Sequence, residues 1–297
     1  MRAFEYFTAT DSKHAVALLA EHAPARVLAG GTDLLADLKA STHPLKTVVD
    51  ISRASDMRTI EVNARGLCIG ALVTHTEIMA SKVIRDMFPA LVDAAHTIGA
   101  VQTRNLGTLG GNLVTAVPSV DSGPTLVALD ALVTIAGPAG NRSMPLAEFF
   151  TGPRKTALKP DELLVEIVVP KENLNKPAHF LKMGLRKGQA LALVNAASSL
   201  WIEPKKSTCK NVRIALGAVA PTVIRAKTAE KFLEGRAATP ENFAEAGRLA
   251  VEDARPISDM RASAEYRKDI VAVLTKRTLA AACAQVGAAK APKGARK

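Results

Sequence analysis

The residues best suited to chemistry lie in a glycine-rich turn, Gly107-Thr108-Leu109-Gly110-Gly111-Asn112. Three glycines within five residues let the backbone adopt positive φ angles and bring its N–H groups close to a ligand. Successive N–H groups in such a turn suit an anion, and Thr108 and Asn112 add side-chain donors. Asp121, nine residues after Asn112, can accept hydrogen bonds from hydroxyl groups. These groups fit a diphosphate joined to a polyol, although a tight turn between two buried segments would use the same glycines.

A second glycine turn lies earlier in the chain, in Val27-Leu28-Ala29-Gly30-Gly31-Thr32-Asp33-Leu34. It consists of a short apolar run, a double glycine, a Thr-Asp pair and the start of a helical pattern. Backbone N–H groups at a helix start favour phosphate. Neither turn has the G-x-G-x-x-G spacing of a Rossmann fold, and the chain contains no G-K-[ST] of a P-loop. The turns therefore indicate a bound nucleotide, but they do not indicate a Rossmann fold or a P-loop fold.

Composition favours a globular protein of two domains. The chain has 297 residues, of which 48% are hydrophobic and 23% charged, so it can bury a sizeable core. No apolar run reaches the length of a membrane span, and the N-terminal residues lack the apolar region of a secretory signal. A cytoplasmic location is the default expectation.

The net charge of +11 permits a second class of function, a basic module that binds nucleic acid. The charges are scattered, however, and the densest run is the tail 288–297, which is expected to be disordered. An acidic partner subunit explains the remaining charge equally well. Nucleic-acid binding is not expected, because no DNA- or RNA-binding motif accompanies the charge and the two glycine turns favour a bound nucleotide. The three cysteines, Cys68, Cys209 and Cys283, are far apart and show no C-x-x-C spacing. No metal site or iron–sulfur cluster is expected in this chain.

Hydrophobic periodicity predicts a mixed α+β protein. Its N-terminal elements alternate strand and helix, which predicts a small βαβ-like subdomain ending near residue 55. The further predicted strands are a hairpin at 59–62 and 66–71, an apolar strand at 126–136, a strand at 162–170, and three strands at 178–185, 191–202 and 211–219. Helices are predicted from Phe88, from Thr222, after a cap at Thr239 and after a cap at Ser263. His75 is lone and is expected at the surface or in a helix cap.

The two turns and their separation resemble a known family. AGGTDLL near the start, and TRNLGTLGGN followed by Asp121, are similar to motifs of the FAD-binding medium subunit of the molybdenum hydroxylases, the xanthine dehydrogenase and carbon monoxide dehydrogenase family. The resemblance covers nearly the whole chain. It implies a two-subdomain FAD-binding domain of the vanillyl-alcohol-oxidase/PCMH-like type over residues 1–175, with subdomains of about 1–55 and 56–175. An antiparallel α+β C-terminal domain of the carbon monoxide dehydrogenase flavoprotein type follows over residues 176–287.

The resemblance also implies which residues hold non-covalent FAD. By position, the first turn supplies Val27, Leu28, Ala29, Gly30, Gly31, Thr32, Asp33 and Leu34, and the second supplies Thr108, Leu109, Gly110, Gly111 and Asn112. Further cofactor contacts are implied at Asp121, at Leu164 in the ELL strand, and at Lys182, for which a solvated strand lysine is the alternative. Ile98 falls where relatives place an apolar or aromatic residue against FAD, and as an aliphatic residue it cannot stack as an aromatic ring would.

The implied function is electron transfer. In such complexes a large subunit carries the molybdenum cofactor and a small subunit carries two [2Fe–2S] clusters, so this chain would pass electrons from the clusters through FAD to NAD, a quinone or oxygen. A dimer of three-subunit units is implied, and no catalytic residue is assigned in this chain. The alternative is a self-sufficient FAD-dependent oxidoreductase with its own substrate site. The Thr32-Asp33 pair after the double glycine favours xanthine- or nicotinate-type relatives over carbon monoxide dehydrogenases.

Overall fold

The structure, a computed structural model, describes residues 3–40 and 46–288. Residues 289–297, and with them all of the predicted basic tail except Ala288, lie outside the described part of the chain. The chain divides into two compact units that each use more than one segment. The first unit comprises the described residues up to Ser81 together with Ile98–Val117 and Asp130–Leu174, and the second comprises Lys82–Thr97, Pro118–Leu129 and the chain from Asn175 onward. The domain limits expected from the sequence, at 55, 175 and 287, stay predictions.

The first unit begins with a small parallel sheet. Its strands are β1 (Glu5–Thr8), β2 (Ala25–Leu28) and β3 (Thr47–Asp50), in the order β1-β3-β2, and helices α1 (Ser12–Glu21) and α2 (Leu34–Ala40) lie between them in the chain. Both outer strands pair with β3 in parallel. The predicted βαβ-like arrangement is confirmed, and it places the first glycine turn at the carboxyl end of β2.

A second, antiparallel sheet forms the rest of this unit. Its strands are β4 (Ile60–Asn63), β5 (Gly66–Gly70), β6 (Leu132–Gly137), β7 (Gly140–Pro145) and β10 (Leu163–Pro170), in the order β4-β5-β10-β6-β7. β10 lies at the centre because its buried Ile167 and Val169 fit a strand paired on both sides. The short hairpin β8 (Phe150–Gly152) and β9 (Lys155–Thr156) precedes it. The unit's further helices are α3 (His75–Ala80), α6 (Val101–Leu106), α7 (Leu109–Thr115) and α9 (Leu146–Phe149).

The second unit packs helices against an antiparallel sheet. Its strands are β11 (Ala178–Met183), β12 (Val194–Glu203), β13 (Thr208–Gly217) and β14 (Ile224–Arg225), in that order. Its helices are α4 (Lys82–Met87), α5 (Pro89–His96), α8 (Ser122–Ala128), α10 (Lys227–Leu233), α11 (Pro240–Asp253) and α12 (Ala264–Ala288). Aliphatic residues of β12 and β13 form one core with those of α10, α11 and α12. The predicted caps are present: Thr239 accepts from the Asn242 N–H, and Ser263 accepts from the Tyr266 N–H.

Two element predictions were wrong. The apolar run 126–136, expected to be one strand, is the end of α8 followed by β6, with a turn at Asp130 (φ 51°) between them. A continuous apolar run does not distinguish a fully buried helix from a buried strand, and every residue of α8 is buried. Pro124 is tolerated in the first turn of that helix, where no N–H is needed. Residues after Thr222 first form the short strand β14, so the helix begins only at Lys227.

Candidate functional site

The first glycine turn offers backbone donors that the protein itself does not use. The N–H groups of Gly31, Thr32, Asp33 and Leu34 donate no hydrogen bond to the residues that the structure describes. Gly31 has φ +71°, a left-handed conformation that a side chain would strain. Four successive unsatisfied N–H groups are an arrangement that suits an anion such as phosphate.

Gly30 brings the two glycine turns together. A Cβ atom at Gly30 would lie 1.8 Å from the carbonyl oxygen of Leu106, the residue just before the second turn. Only glycine lets the two backbones approach this closely. The two glycines of the AGG motif therefore have different roles. Gly30 permits the close approach of the two backbones, and Gly31 permits the turn.

The second turn differs from the expectation that its N–H groups bind an anion. The Leu109 N–H donates to the carbonyl oxygen of Val73 (2.8 Å) and the Gly110 N–H to that of Ala71 (2.8 Å). The Gly111 N–H donates to Oγ1 of Thr108 (3.0 Å), which caps α7. Most donors of this turn are thus used within the protein, and two of them join α7 to the segment that follows β5. The turn contributes shape and the Thr108 and Asn112 side chains to the site, while the first turn supplies the free N–H groups.

Both turns line one cavity of about 560 Å³ in the first unit. This volume falls within the roughly 300–1,000 Å³ range of ligand sites. Most of the residues predicted from the sequence contribute to its wall, namely Val27, Ala29, Gly30, Gly31, Thr32, Asp33, Leu34, Ile98, Thr108, Gly110, Gly111, Asn112 and Leu164. The wall combines polar and apolar residues, as a ligand with both phosphate and ring systems would need.

The remaining predicted residues lie elsewhere. The side chains of Leu28 and Leu109 are not part of the cavity wall; Leu109 is fully buried, and a Cβ atom at Gly31 would lie 3.0 Å from the side chain of Leu28. Asp121 and Lys182 belong to the second unit, where they pair with each other. Lys182 Nζ donates to Oδ2 of Asp121 (2.6 Å) and to the carbonyl oxygen of Thr97 (3.1 Å). Lys182 is therefore not the solvated strand lysine that was the alternative.

Asn195 joins this pair and was not found from the sequence. Its Nδ2 donates to Oδ1 of Asp121 (2.9 Å) and to the carbonyl oxygen of Val120 (3.2 Å), and Asn195 is fully buried on β12. Burial raises the pKa of Asp121, and the Lys182 ammonium group opposes that shift. The carboxylate is thus held in one orientation by two donors. An Asn in a strand of small and apolar residues was the only sequence signal for it.

Charged residues around the cavity were also missed. Glu162, at the start of the ELL motif, accepts two hydrogen bonds from Arg142 (2.9 and 2.7 Å) and one from the Lys159 N–H (2.9 Å). These hydrogen bonds, above all those from Arg142, lower the pKa of Glu162 to about 2. Arg154, in the β8–β9 turn, forms an ion pair with Asp37 of α2 (3.0 Å). Glu162, Lys159, Arg154 and Asp37 all line the cavity, and the Arg142–Glu162 and Arg154–Asp37 pairs each join residues distant in sequence.

His75 was predicted to lie at the surface or in a cap, and that prediction was wrong. Thr74 is the helix cap, in a capping box with Glu77, and His75 is buried as the first residue of α3 in the cavity wall. Burial, with a smaller contribution from the charge of Arg104, lowers the pKa of His75 to about 4. The histidine is therefore neutral at pH 7.

Within residues 3–40 and 46–288, no group of three or more His, Cys, Asp or Glu side chains is placed to hold a metal ion. The thiols of Cys68 and Cys209 are buried and that of Cys283 is partly buried. None of the helices in these ranges is long and apolar enough to cross a bilayer.

A parallel βαβ subdomain, an antiparallel sheet and a cavity lined by two glycine turns give the first unit an architecture suited to a nucleotide. Comparison with known proteins gives the family. The family model of the FAD binding domain in molybdopterin dehydrogenase matches residues 2–172, and that of the CO dehydrogenase flavoprotein C-terminal domain matches residues 179–282. The chain belongs to the family of FAD-binding medium subunits of molybdenum hydroxylases.

Individual relatives agree with this assignment. The xanthine dehydrogenase FAD-binding subunit of Escherichia coli O157:H7 is 32% identical over 286 residues, covering 95% of this chain and 97% of the relative. The solved carbon monoxide dehydrogenase of Hydrogenophaga pseudoflava has a chain with a TM-score of 0.90 at 32% identity, covering 96% of this chain and 98% of that one. A chain of quinoline 2-oxidoreductase from Pseudomonas putida 86 has a TM-score of 0.88 at 31% identity, covering 96% and 98%. The predicted family, fold class and FAD cofactor are thereby confirmed.

Proposed function

We propose that this chain is the electron-transfer subunit of a molybdenum-containing hydroxylase or dehydrogenase. It would take electrons from [2Fe–2S] clusters of a small partner subunit and deliver them to an external acceptor such as NAD, a quinone or oxygen. The observation that carries the proposal is the row of N–H groups from Gly31 to Leu34, which are unsatisfied within the described part of the chain and line a cavity of dinucleotide size. The membership in the medium-subunit family supports the rest.

The residues present fit FAD. The N–H groups of the first turn would hold the diphosphate, and the hydroxyl groups of Thr32 and Thr108 and the Asn112 amide add polar contacts beside it. Apolar residues of the wall, Ile98 and Leu164 among them, would cover ring systems and exclude water. Bound FAD would supply the redox chemistry, and the protein supplies position and electrostatics.

The predicted residues outside the cavity wall remain proposed FAD contacts on the family resemblance alone. They are Leu28, Leu109, Asp121 and Lys182. Asp121 is the exception, since the hydrogen bonds from Lys182 and Asn195 also support the proposal by fixing the orientation of its carboxylate.

The partners proposed are a large subunit with the molybdenum cofactor and a small subunit with two [2Fe–2S] clusters, arranged as a dimer of heterotrimers. The cavity wall of this chain offers polar donors for a nucleotide, so FAD is the cofactor assigned to it, and the other cofactors are assigned to the partners. Substrate hydroxylation would take place in the large subunit. A cytoplasmic location is part of the same proposal.

An absorption spectrum tests the proposal. The chain is purified alone and with co-expressed neighbouring subunits, and its cofactor is identified after denaturation. Flavin absorbance from the chain, with iron–sulfur absorbance and molybdenum only in the co-purified complex, is the expected result. Substrate-dependent reduction of the flavin should require the complex. A chain that turns over a substrate by itself would instead support a self-sufficient oxidoreductase, and a chain that cannot be loaded with FAD in any assembly would contradict the proposal.

A further inference from the structure

His75 occupies a position in the cavity wall that packing alone does not explain. Only 1% of the residue is exposed. Its backbone is fixed by the capping box before α3, in which the Thr74 N–H donates to Oε2 of Glu77 (2.7 Å) and the Glu77 N–H donates to Oγ1 of Thr74 (3.2 Å). The position of His75 in the chain is therefore fixed by local structure.

The imidazole lies where the two glycine turns meet. The His75 N–H donates to the carbonyl oxygen of Gly107 (3.1 Å), and Thr74 pairs with Thr108 in an isolated β-bridge. A Cβ atom at Gly107 would lie 3.5 Å from Cδ2 of His75 and 3.7 Å from Oγ1 of Thr32. His75 is thus next to the second turn and near the first, whose N–H groups have no acceptor in the described part of the chain.

The imidazole itself has an unsatisfied polar atom. Nδ1 is buried and has no hydrogen-bond partner among the residues described. An unpaired buried polar group costs about 1–3 kcal/mol, and an aliphatic side chain of similar size would avoid that cost. A histidine at this position is explained if a ligand in the cavity supplies the missing partner. A neutral imidazole can then donate a hydrogen bond without adding net charge.

We propose that His75 is a further FAD contact, donating a hydrogen bond from Nδ1 to an oxygen of the diphosphate held at the junction of the two turns. This inference rests on the proposed function, because it assigns one more residue to the same site. The diphosphate is the part of FAD assigned to it, since the unsatisfied N–H groups beside it in the first turn suit the same acceptor. A half-turn of the ring about χ2 exchanges Nδ1 with Cδ2, the atom that lies 3.5 Å from a Cβ atom built at Gly107, and so places Nδ1 beside the second turn.

Three variants of the full-length chain test the inference. His75→Leu removes both ring nitrogens, His75→Asn retains a donor close to the position of Nδ1, and His75→Gln places one nearer to that of Nε2. His22→Leu is the control, because His22 is half-buried in the same unit, stacks on Phe7 and is not part of the cavity wall. Affinity is measured by flavin fluorescence for FAD and by calorimetry for ADP, which carries the diphosphate without the flavin.

The expected result is that His75→Leu weakens binding of both FAD and ADP about tenfold, as for the loss of one hydrogen bond. His75→Asn should recover most of the affinity, and the His22→Leu control should bind as the wild type does. Unchanged affinity in His75→Leu, or recovery by Gln but not by Asn, would overturn the assignment of Nδ1.

A second measurement does not depend on the folding of any variant. In the wild-type chain with ¹⁵N-labelled histidine, FAD should shift the Nδ1 resonance of one buried, neutral ring, and ADP should do the same. An unperturbed resonance on saturation with FAD overturns the inference while leaving the proposed function intact. A wild-type chain that binds neither FAD nor ADP would instead remove the proposed function, and the inference with it.

Discussion

At the scale of the residue, buried polar groups with fixed hydrogen-bond partners position the cavity wall. Glu162 is well satisfied, with three hydrogen bonds from Arg142 and the Lys159 backbone. It lies just before β10 and bonds to Arg142 of β7, on the far side of β6, and the next two residues, Leu163 and Leu164, are part of the cavity wall. A carboxylate with this many donors is stabilised in its ionised form.

Glu162 predicts a specific dependence of stability on pH. Its pKa is about 2 in the folded chain, below the ordinary value of 4.5, so its contribution is complete above pH 4.5 and is lost as the pH falls towards 2. Glu162→Gln should therefore lower the free energy of unfolding at pH 7 by on the order of 2 kcal/mol. The difference from the wild type should shrink as the pH falls below 4.5.

Urea unfolding of both proteins across this pH range measures the effect. Glu172→Gln, at an exposed carboxylate, is the matched control and should change stability by less than about 0.5 kcal/mol. A stability difference that is the same at neutral and at acid pH would show that the Glu162 carboxylate charge contributes nothing.

At the scale of the element, the two glycine turns have separate roles. The first turn follows β2 and leaves its N–H groups without an acceptor in the described residues, whereas the second begins α7 and uses its N–H groups within the protein. Similar sequence motifs thus produce different donor patterns. The difference arises because Ala71 and Val73, which follow β5, supply acceptors to the second turn.

The first turn should be sensitive to a single methyl group. In Gly31→Ala, a Cβ atom at φ +71° would strain the turn and meet Leu28 and Leu35 at 3.0 Å, so the row of N–H groups would be displaced. FAD affinity should fall by about tenfold or more, equivalent to about 1.4 kcal/mol. Fluorescence titration with FAD measures this directly.

Gly235→Ala is the matched control. Gly235 has φ +76°, and a Cβ atom added there would have no other atom within 4 Å, so the substitution brings a similar backbone strain of about 1 kcal/mol without a clash. It lies in the α10–α11 turn of the second unit. Equal losses of FAD affinity in the two variants would mean that Gly31 acts through general stability and not through the turn.

At the scale of the whole molecule, contacts between distant segments decide the second unit's polar centre. Lys182 on β11, Asn195 on β12 and Asp121 before α8 come together with the Thr97 carbonyl after α5. Side-chain exposure is 7% for Lys182 and 10% for Asp121. A buried ion pair of this kind is costly to break, because one charge is then left without a partner.

Lys182→Met should therefore lower the free energy of unfolding of the FAD-free chain by about 3–5 kcal/mol. The double variant Lys182→Met/Asp121→Asn should regain most of this loss, since the amide carries no charge. Chemical denaturation measures both. Lys82→Met, which breaks an exposed ion pair with Asp86 on α4, is the control and should cost less than about 1 kcal/mol. A double variant as unstable as the single one would contradict the role of the unpaired charge.

The sequence predicted the elements with a clear period or a cap. The helix after Thr239-Pro240 and the strand at 162–170 formed as predicted, because capping and local periodicity are properties of a few adjacent residues. The prediction for the run 126–136 failed because its residues are mostly buried and carry no period. The prediction for His75 failed for a related reason, since burial depends on what packs against a residue and not on its neighbours in the chain.

By itself, the sequence determined the two glycine turns, the α+β class, the family and FAD as the cofactor, because these depend on residue types at fixed local spacing. Only the tertiary structure showed that the first turn keeps its N–H groups free within the described residues while the second uses them. The carbonyl oxygens of Val73 and Ala71, which accept hydrogen bonds from the second turn, reach it only when the chain folds. It also decided the partners of Asp121 and Glu162 and the burial of His75. Those properties arise from groups that are distant in sequence, and the chain must fold before they meet.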